Sequence, residues 1–280
     1  MHAKSLPLAV LVSWPCWVAG CREPRAAAPA VAPIAVDVDS ERRDVDGTAR
    51  GYPEMRSLKG ETIGKGEFSQ WLEGDRLHVR ARYDMSPTRW TEERSVMLQE
   101  PVLVHERWSF VEMRNGEVYR RFEVDFRTGN ATADKREGKE LRHWSKHLDV
   151  ELGRAFAGGG WPNAIRRYRD RLLRGEKVEL QAVGFTPTPR TAMVEITHDG
   201  FDCVPMSDRR PTGDRYRIHP KIPWIAKPFV DAPDSLIWLT HEPPAAFLRW
   251  EGPLVEPDDP VVRVDLLPGG TSEPAFATKP

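Results

Sequence analysis

ERWSFVEMRNGEVYRRFEVDFRTGN, residues 106–130, decides the fold class. Two runs of alternating apolar and polar residues flank Asn115-Gly116, the pair that a two-residue β-hairpin turn favours because both central positions take positive φ. On the second run Val118, Phe122, Val124 and Phe126 share one face, interrupted by Arg120. Upstream, RLHVRARYDM (76–85) alternates without a break. Leu77, Val79, Ala81, Tyr83 and Met85 face one way, and Arg76, His78, Arg80, Arg82 and Asp84 the other. KVELQAV, TAMVEITH, DSLIWLTH, AAFLRWEG and VVRVDLL add further strands, each bounded by Gly, Pro or Asp. One apolar and one charged face is the pattern of an antiparallel sheet wetted on one side.

Helix is scarce. In WPNAIRRYRDRLLRG (161–175), Trp161, Ala164, Ile165, Tyr168 and Leu172 form a stripe at helical spacing. Pro162 stands in the first turn and Gly175 at the stop. KELRHWSKHLDVELG (139–153) reads as a second helix and PWIAKPFV (223–230) as a short helical turn. The order of strands, helix and strands gives a mainly β fold: a curved, partly closed antiparallel sheet, half-barrel or barrel-like, with one covering helix near 161–174. Curvature needs bulges, and the Gly and Pro residues between strands provide places for them.

At the N-terminus a polar start with one lysine, Lys4, precedes an apolar run from Leu6 to Val18. The run is too short to span a bilayer and has the layout of a secretory signal. Val18-Ala19-Gly20-Cys21 follows. It resembles the lipobox of bacterial lipoproteins, which implies that the Cys21 thiol takes a diacylglycerol and becomes the new N-terminus. Acyl chains contribute about 0.8 kcal/mol per buried methylene, so a multiply acylated (palmitate-type) Cys21 is a firm membrane anchor. Arg22 follows, where the inner-membrane retention rule would have aspartate, which favours the outer membrane with the domain facing the periplasm.

The expected organisation is therefore a signal peptide (1–20), a lipidated tether rich in Ala, Pro and charge (21–48), a single β-rich domain (49–268) and a loose tail (269–280). With Cys16 removed, Cys203 is the one thiol left beside Cys21, so no intramolecular disulfide forms. Its setting after an Asp-Gly turn reads as a half-buried strand cysteine. Charged residues make up 30% of the chain and the formal net charge is −1, which argues against a nucleic-acid partner.

WPNAIRRYRDRLLRGEKVEL (161–180) followed by PDSLIWLTHEPPAAFLRWEGP (233–253) resembles a group of uncharacterised bacterial envelope proteins over about residues 71–268. Those proteins place a Trp- and Leu-bearing helix, a Gly and a Val-rich strand before a pair of C-terminal strands. Here AGGG precedes the helix, where they carry an aromatic and an Asn. The group implies no assigned activity. The general shape is also similar to the lipoprotein-carrier half-barrels of the periplasm, which bind acyl chains beneath a helical lid; that likeness concerns fold.

Three constellations are candidates for chemistry. His143 and His147, at i and i+4 with Asp149 and Glu151 beyond, would share a helix face and could ligate zinc, but Trp144 stands where the zincin pattern needs Glu. Gly158-Gly159-Gly160 before a helix start could offer amides to an anion, yet Trp161-Pro162 replaces the Lys-Ser/Thr of a phosphate loop, so the triplet reads as a flexible hinge. His198-Asp199, His219 and His241-Glu242 are scattered acids and bases whose neighbours point to opposite strand faces. Ser109, Ser145 and Ser235 lack a nucleophile-elbow context. The expectation is no catalytic residue, no cofactor and no metal.

Of ten tryptophans, eight lie beyond the signal. Such side chains either fill a wide core or line a pocket left open, and the filled core is the favoured expectation. The functional expectation is a non-enzymatic envelope binding or maintenance domain that holds an apolar small molecule or an envelope protein. The alternatives are a hydrolase acting on an envelope lipid or polymer, with two titratable groups converging in one cleft, and a structural interaction module with a filled core and an exposed apolar patch.

Overall fold

The computed structural model describes residues 47–99, 101–206, 210–221 and 233–267. The signal segment, Cys21, the tether up to residue 46, the turn expected at 223–230 with Trp224, and the tail from 269 lie outside the described residues.

The described residues form one curved sheet of fifteen strands, built as two meanders. The first comprises β1 (Ala49–Ser57), β2 (Thr62–Glu73), β3 (Arg76–Ser86), β4 (Arg89–Leu98), β5 (Val104–Arg114), β6 (Glu117–Asp125), β7 (Asn130–Glu137) and β8 (Glu140–His147). The second comprises β9 (Ala155–Phe156), β10 (Val178–Thr186), β11 (Thr188–Cys203), β12 (Thr212–Pro220), β13 (Ser235–Thr240), β14 (Phe247–Pro253) and β15 (Val261–Leu267). Strand order runs from β8 down to β1, then from β15 down to β9, so the first and last strands pair and join the meanders. No ladder links the outermost strands β8 and β9, and the sheet is curved but not closed.

The Asn115-Gly116 turn forms as expected: both residues have positive φ, and β5 and β6 pair across it. Register shifts at Met55/Arg56, Asp84/Ser86, Val96/Met97, Glu112/Met113, His198/Gly200 and Trp238/Leu239 supply the bends that curvature needs. Among the described strands, β9 and β10 pair in parallel. Parallel neighbours require a crossover, and here it carries the 3-10 turn Gly158–Gly160, α1 (Trp161–Arg167) and α2 (Arg169–Leu173). Tyr168 departs from helical geometry (φ −103°, ψ 8°) and divides what the sequence presents as one helix. Gly175, at φ +84°, ends it.

The helical stripe is buried as its spacing demands. Trp161, Ile165, Tyr168 and Leu172 pack with Leu77, Val79 and Met97 of β3–β4 on one side and with Val178, Ile196, Tyr216 and Leu239 of β10–β13 on the other. A second cluster brings Phe110, Phe122 and Ala133 of β5–β7 against Val183 and Phe185 of β10, with the Phe122 and Phe185 rings stacked at 4.6 Å. The C-terminal meander is thus folded over the concave face of the N-terminal one.

Residues 140–147 are strand, not helix. Gly138, at φ +63°, and Lys139 make a two-residue turn back onto β7. Pairing with β7 sets Trp144 opposite Ala133, on the face of the second cluster, and leaves the other positions exposed. Helical and alternating readings both put Trp144 inward, so periodicity over nine residues cannot separate them, and the hairpin turn decides. The resulting edge strand carries charged side chains on its exposed face, which protects it from pairing with other chains.

Arg120, which interrupts the apolar face of β6, also points inward. Its Nε donates to Glu112 Oε2 at 2.8 Å, and its Nη1 to Glu256 Oε2 at 2.7 Å and Asp259 Oδ1 at 2.9 Å. Lys135 Nζ donates to both Glu256 oxygens at 2.8 Å. These bonds fasten the β14–β15 loop across the mouth of the first meander. Asp259 Oδ2 shapes that loop by accepting the amides of Val255 and Glu256.

Candidate functional site

A cavity of about 790 Å³ lies inside the curve, between β1–β5, β14–β15, the glycine turn with α1, and the bend before β14. Its volume falls within the range of small-molecule sites. Met55, Phe68, Phe247, Trp250, Val262 and Val264 give it apolar walls, and Leu254 of the fastened loop reaches it too. The aromatic residues therefore divide between two roles. Trp108, Trp161 and Trp238 are buried in clusters, whereas Trp250 faces the cavity. The core is not filled throughout.

One polar stripe crosses these walls. Strand pairing sets Phe68, Ala81, Glu93, Phe110, Phe122, Ala133 and Trp144 side by side in a single row across seven strands. Glu93 is the row's single charged member. Thr91 and Ser95 flank it on β4, and Tyr83 lies opposite Thr91; all four line the cavity.

The glycine triplet explains how the carboxyl is held. Trp108 Nε1 and the Gly159 amide both donate to Glu93 Oε1 at 2.5 Å. A Cβ on Gly158 would fall 1.8 Å from Glu93 Oε1, and one on Gly160 2.8 Å from His105 Nδ1. The triplet is therefore a close-packed turn and not a hinge. Its Gly159 amide does donate to a carboxyl oxygen, one supplied by the chain's own β4. Glu93 Oε2 has no hydrogen-bond partner among the described residues, and Ser95 Oγ is buried without one.

Burial raises the Glu93 carboxyl above the usual carboxylate range, opposed by the bonds from Trp108 and Gly159. Tyr83 is raised as well, by burial first and then by the Glu93 charge. The neighbouring Glu92 points to the outer face. Burial pushes it up, but Arg80 and Arg94 hold it below its ordinary value. Two adjacent glutamates thus titrate in opposite directions because they sit on opposite faces of the sheet.

The residues singled out in the sequence lie elsewhere. His143 and His147 share the outer face of β8, about 13 Å apart at strand rise. His143 Nδ1 sits 2.7 Å from Asp134 Oδ1, and His147 Nδ1 3.5 Å from Asn130 Oδ1. Without a helix the two imidazoles cannot share a metal ion. Among the described residues no group of three His, Cys, Asp or Glu is placed to hold one. His198 and His241 do converge, on buried Asp214: His241 Nδ1 is 3.1 Å from Asp214 Oδ1 and His198 Nε2 3.5 Å, while Arg169 Nη2 donates to Oδ2 at 3.0 Å. His219 stands apart, paired with Asp234 at 2.7 Å. Cys203 ends β11 and is exposed, not half-buried, because it takes the outward position of an alternation whose next residue, Val204, is buried with Met206, Trp238 and Leu248.

Glu93 was open to discovery in RWTEERSVML (89–98), where inward positions read Thr91, Glu93, Ser95 and Met97. The doubled Glu92-Glu93 hides the alternation, since both faces then look charged. No family model matches the chain, and no curated protein matches it.

Proposed function

We propose that the chain is a non-enzymatic binding module of a bacterial envelope, anchored in the outer membrane through acylated Cys21, which holds an apolar ligand in the cavity under α1. The observation that carries this reading is the apolar-walled space of about 790 Å³ on the concave face. A domain whose role was only to present a surface would fill such a space, because unfilled apolar volume destabilises a core. The exposed large apolar residues, among them Leu58, Leu141 and Phe201, belong to separate strands and turns.

Ala81 lines the cavity in the Glu93 row, so Ala81→Phe places a ring in the ligand's space. The substitution is expected to abolish uptake of the fluorescent apolar dye N-phenyl-1-naphthylamine by the full chain while leaving its melting temperature unchanged or higher. Uptake equal to that of the parent protein counts against the cavity as the binding site. The anchor is tested separately. Cys21→Ser is expected to abolish labelling by a radioactive or clickable fatty acid and to move the protein to the soluble fraction. A Cys21→Ser protein that stays membrane-bound contradicts the lipobox reading.

Glu93 and Tyr83, two perturbed acids in one cavity, favour a second reading, a hydrolase of an envelope lipid or polymer. Against it, both donors at Glu93 Oε1 are spent on the carboxyl itself, and no histidine lines the cavity among the described residues. Turnover of a decanoyl ester that is lost in Glu93→Gln would establish the hydrolase in place of the carrier.

A further inference from the structure

Resting on the cavity reading, we infer that the ligand is an amphiphile with an uncharged hydroxyl head, an aliphatic alcohol or acylglycerol type of molecule, whose head is held by Glu93 Oε2 and Ser95 Oγ. The geometry leads there in three steps. First, the walls around the polar stripe are mostly hydrocarbon, with Gln70 and the α1 residues Asn163, Arg166 and Arg167 among the polar exceptions, so the greater part of a fitting ligand is apolar. Second, the stripe is not satisfied by the protein. Ser95 is 2% exposed, lines the cavity and has a hydroxyl with no partner. A buried polar group left unpaired costs free energy that a ligand recovers by pairing it.

Glu93 presents the second unpaired atom. Its Oε1 takes both protein donors, leaving Oε2 without one. The two groups are close neighbours on the same face of β4, and a Cβ placed on Gly159 would lie within 3.8 Å of both Glu93 Oε1 and Ser95 Oγ. Third, a hydroxyl both donates and accepts. It can satisfy a carboxylate oxygen, a carboxylic acid and a serine hydroxyl, whichever state Glu93 holds. A charged head would have to shed its water in an apolar cavity. Two guanidiniums line the cavity at α1, Arg166 donating to Asn163 Oδ1 and Arg167 Nη2 to Gln99 O at 3.0 Å, and decanoic acid is the probe that tests whether they draw an anionic head instead.

The test is displacement of N-phenyl-1-naphthylamine from the full chain by three ten-carbon chains: decanol, decyl methyl ether and decanoic acid. The ether keeps the oxygen and loses the donor, so it makes one hydrogen bond fewer than the alcohol. Decanol is expected to bind about tenfold more tightly than the ether, the worth of one such bond, and decanoic acid more weakly than decanol. Ser95→Ala removes an unpartnered hydroxyl and leaves the fold intact, and is expected to weaken decanol and the ether alike, by about fivefold each, because Glu93 Oε2 still accepts the alcohol's proton while the bond that Ser95 gives to either oxygen is lost. Unchanged binding of both would overturn the role of Ser95. Equal binding of decanol and ether by the parent protein overturns the hydroxyl assignment while the cavity reading stands. Tightest binding by decanoic acid overturns it in favour of an anionic head. Failure of the dye and all three chains to bind removes the cavity reading itself.

Discussion

Arg120→Ala is expected to lower the stability of the folded protein by about 3 kcal/mol, because it leaves buried carboxylates without their shared cation. Arg120 is 3% exposed, Glu112 0% and Glu256 2%. Removing the guanidinium breaks three charge-assisted bonds at once. Glu112 retains Arg89 at 2.8 Å and Arg114 at 2.7 Å, and Glu256 retains Lys135, which holds the loss near the lower end for buried pairs. Arg142→Ala is the control. Its ion pair with Glu137 is exposed on both sides, and pairs of that kind contribute under about 1 kcal/mol. Urea denaturation of the two variants checks the contrast. A loss below 1 kcal/mol for Arg120→Ala would show that the loop is held by its apolar contacts and not by the charge network. Because Leu254 lines the cavity, the same variant is expected to weaken dye uptake.

Acidification is expected to remove about 3 kcal/mol of stability between pH 6.5 and pH 4 through one residue, His105. It is buried, stacks on Phe126 at 4.5 Å and accepts the Ala157 amide through Nδ1 at 3.4 Å. Burial pushes its imidazole down to about 3. In the unfolded chain the group titrates near 6.5. Between those values the unfolded state binds the proton and the folded state does not, so the contribution is complete above pH 6.5 and is lost as pH falls toward 3. At 1.36 kcal/mol per pH unit, 2.5 units give about 3 kcal/mol. Glu93, being raised, works in the opposite sense: its contribution is complete below the ordinary carboxylate value and is lost as pH rises through its own. His105→Gln keeps an acceptor for Ala157 and removes the titration. The stability gap between parent and variant should shrink by about 3 kcal/mol from pH 7 to pH 4. Parallel pH profiles would mean that His105 takes up its proton as readily in the folded state as in the unfolded one.

The sheet was legible because its strands report their own faces. The inward set of β3 and the Asn115-Gly116 turn follow from period-two spacing and positive φ, and the stripe of the crossover helix follows from the 3.6 period. β8 was misread because Trp144 is inward under both periods, and only Gly138 and the partner strand distinguish them. The site was not legible for a different reason. Glu93 becomes special through its row neighbours Ala81 and Phe110, which are fixed by strand register and not by chain proximity. Its donors come from Trp108 and Gly159, the latter 66 residues away. The same applies to Arg120, whose partners Glu256 and Asp259 lie more than 130 residues on. Alternation tells which side chains face inward but not which of them meet.

Native mass spectrometry of the full chain, released from cells without detergent and followed by solvent extraction, is the most direct test of the cavity as a ligand site. The expected result is an apolar molecule bound at close to one per chain, lost in Ala81→Phe. A clean ligand-free mass, unchanged after incubation with envelope lipids, would contradict it.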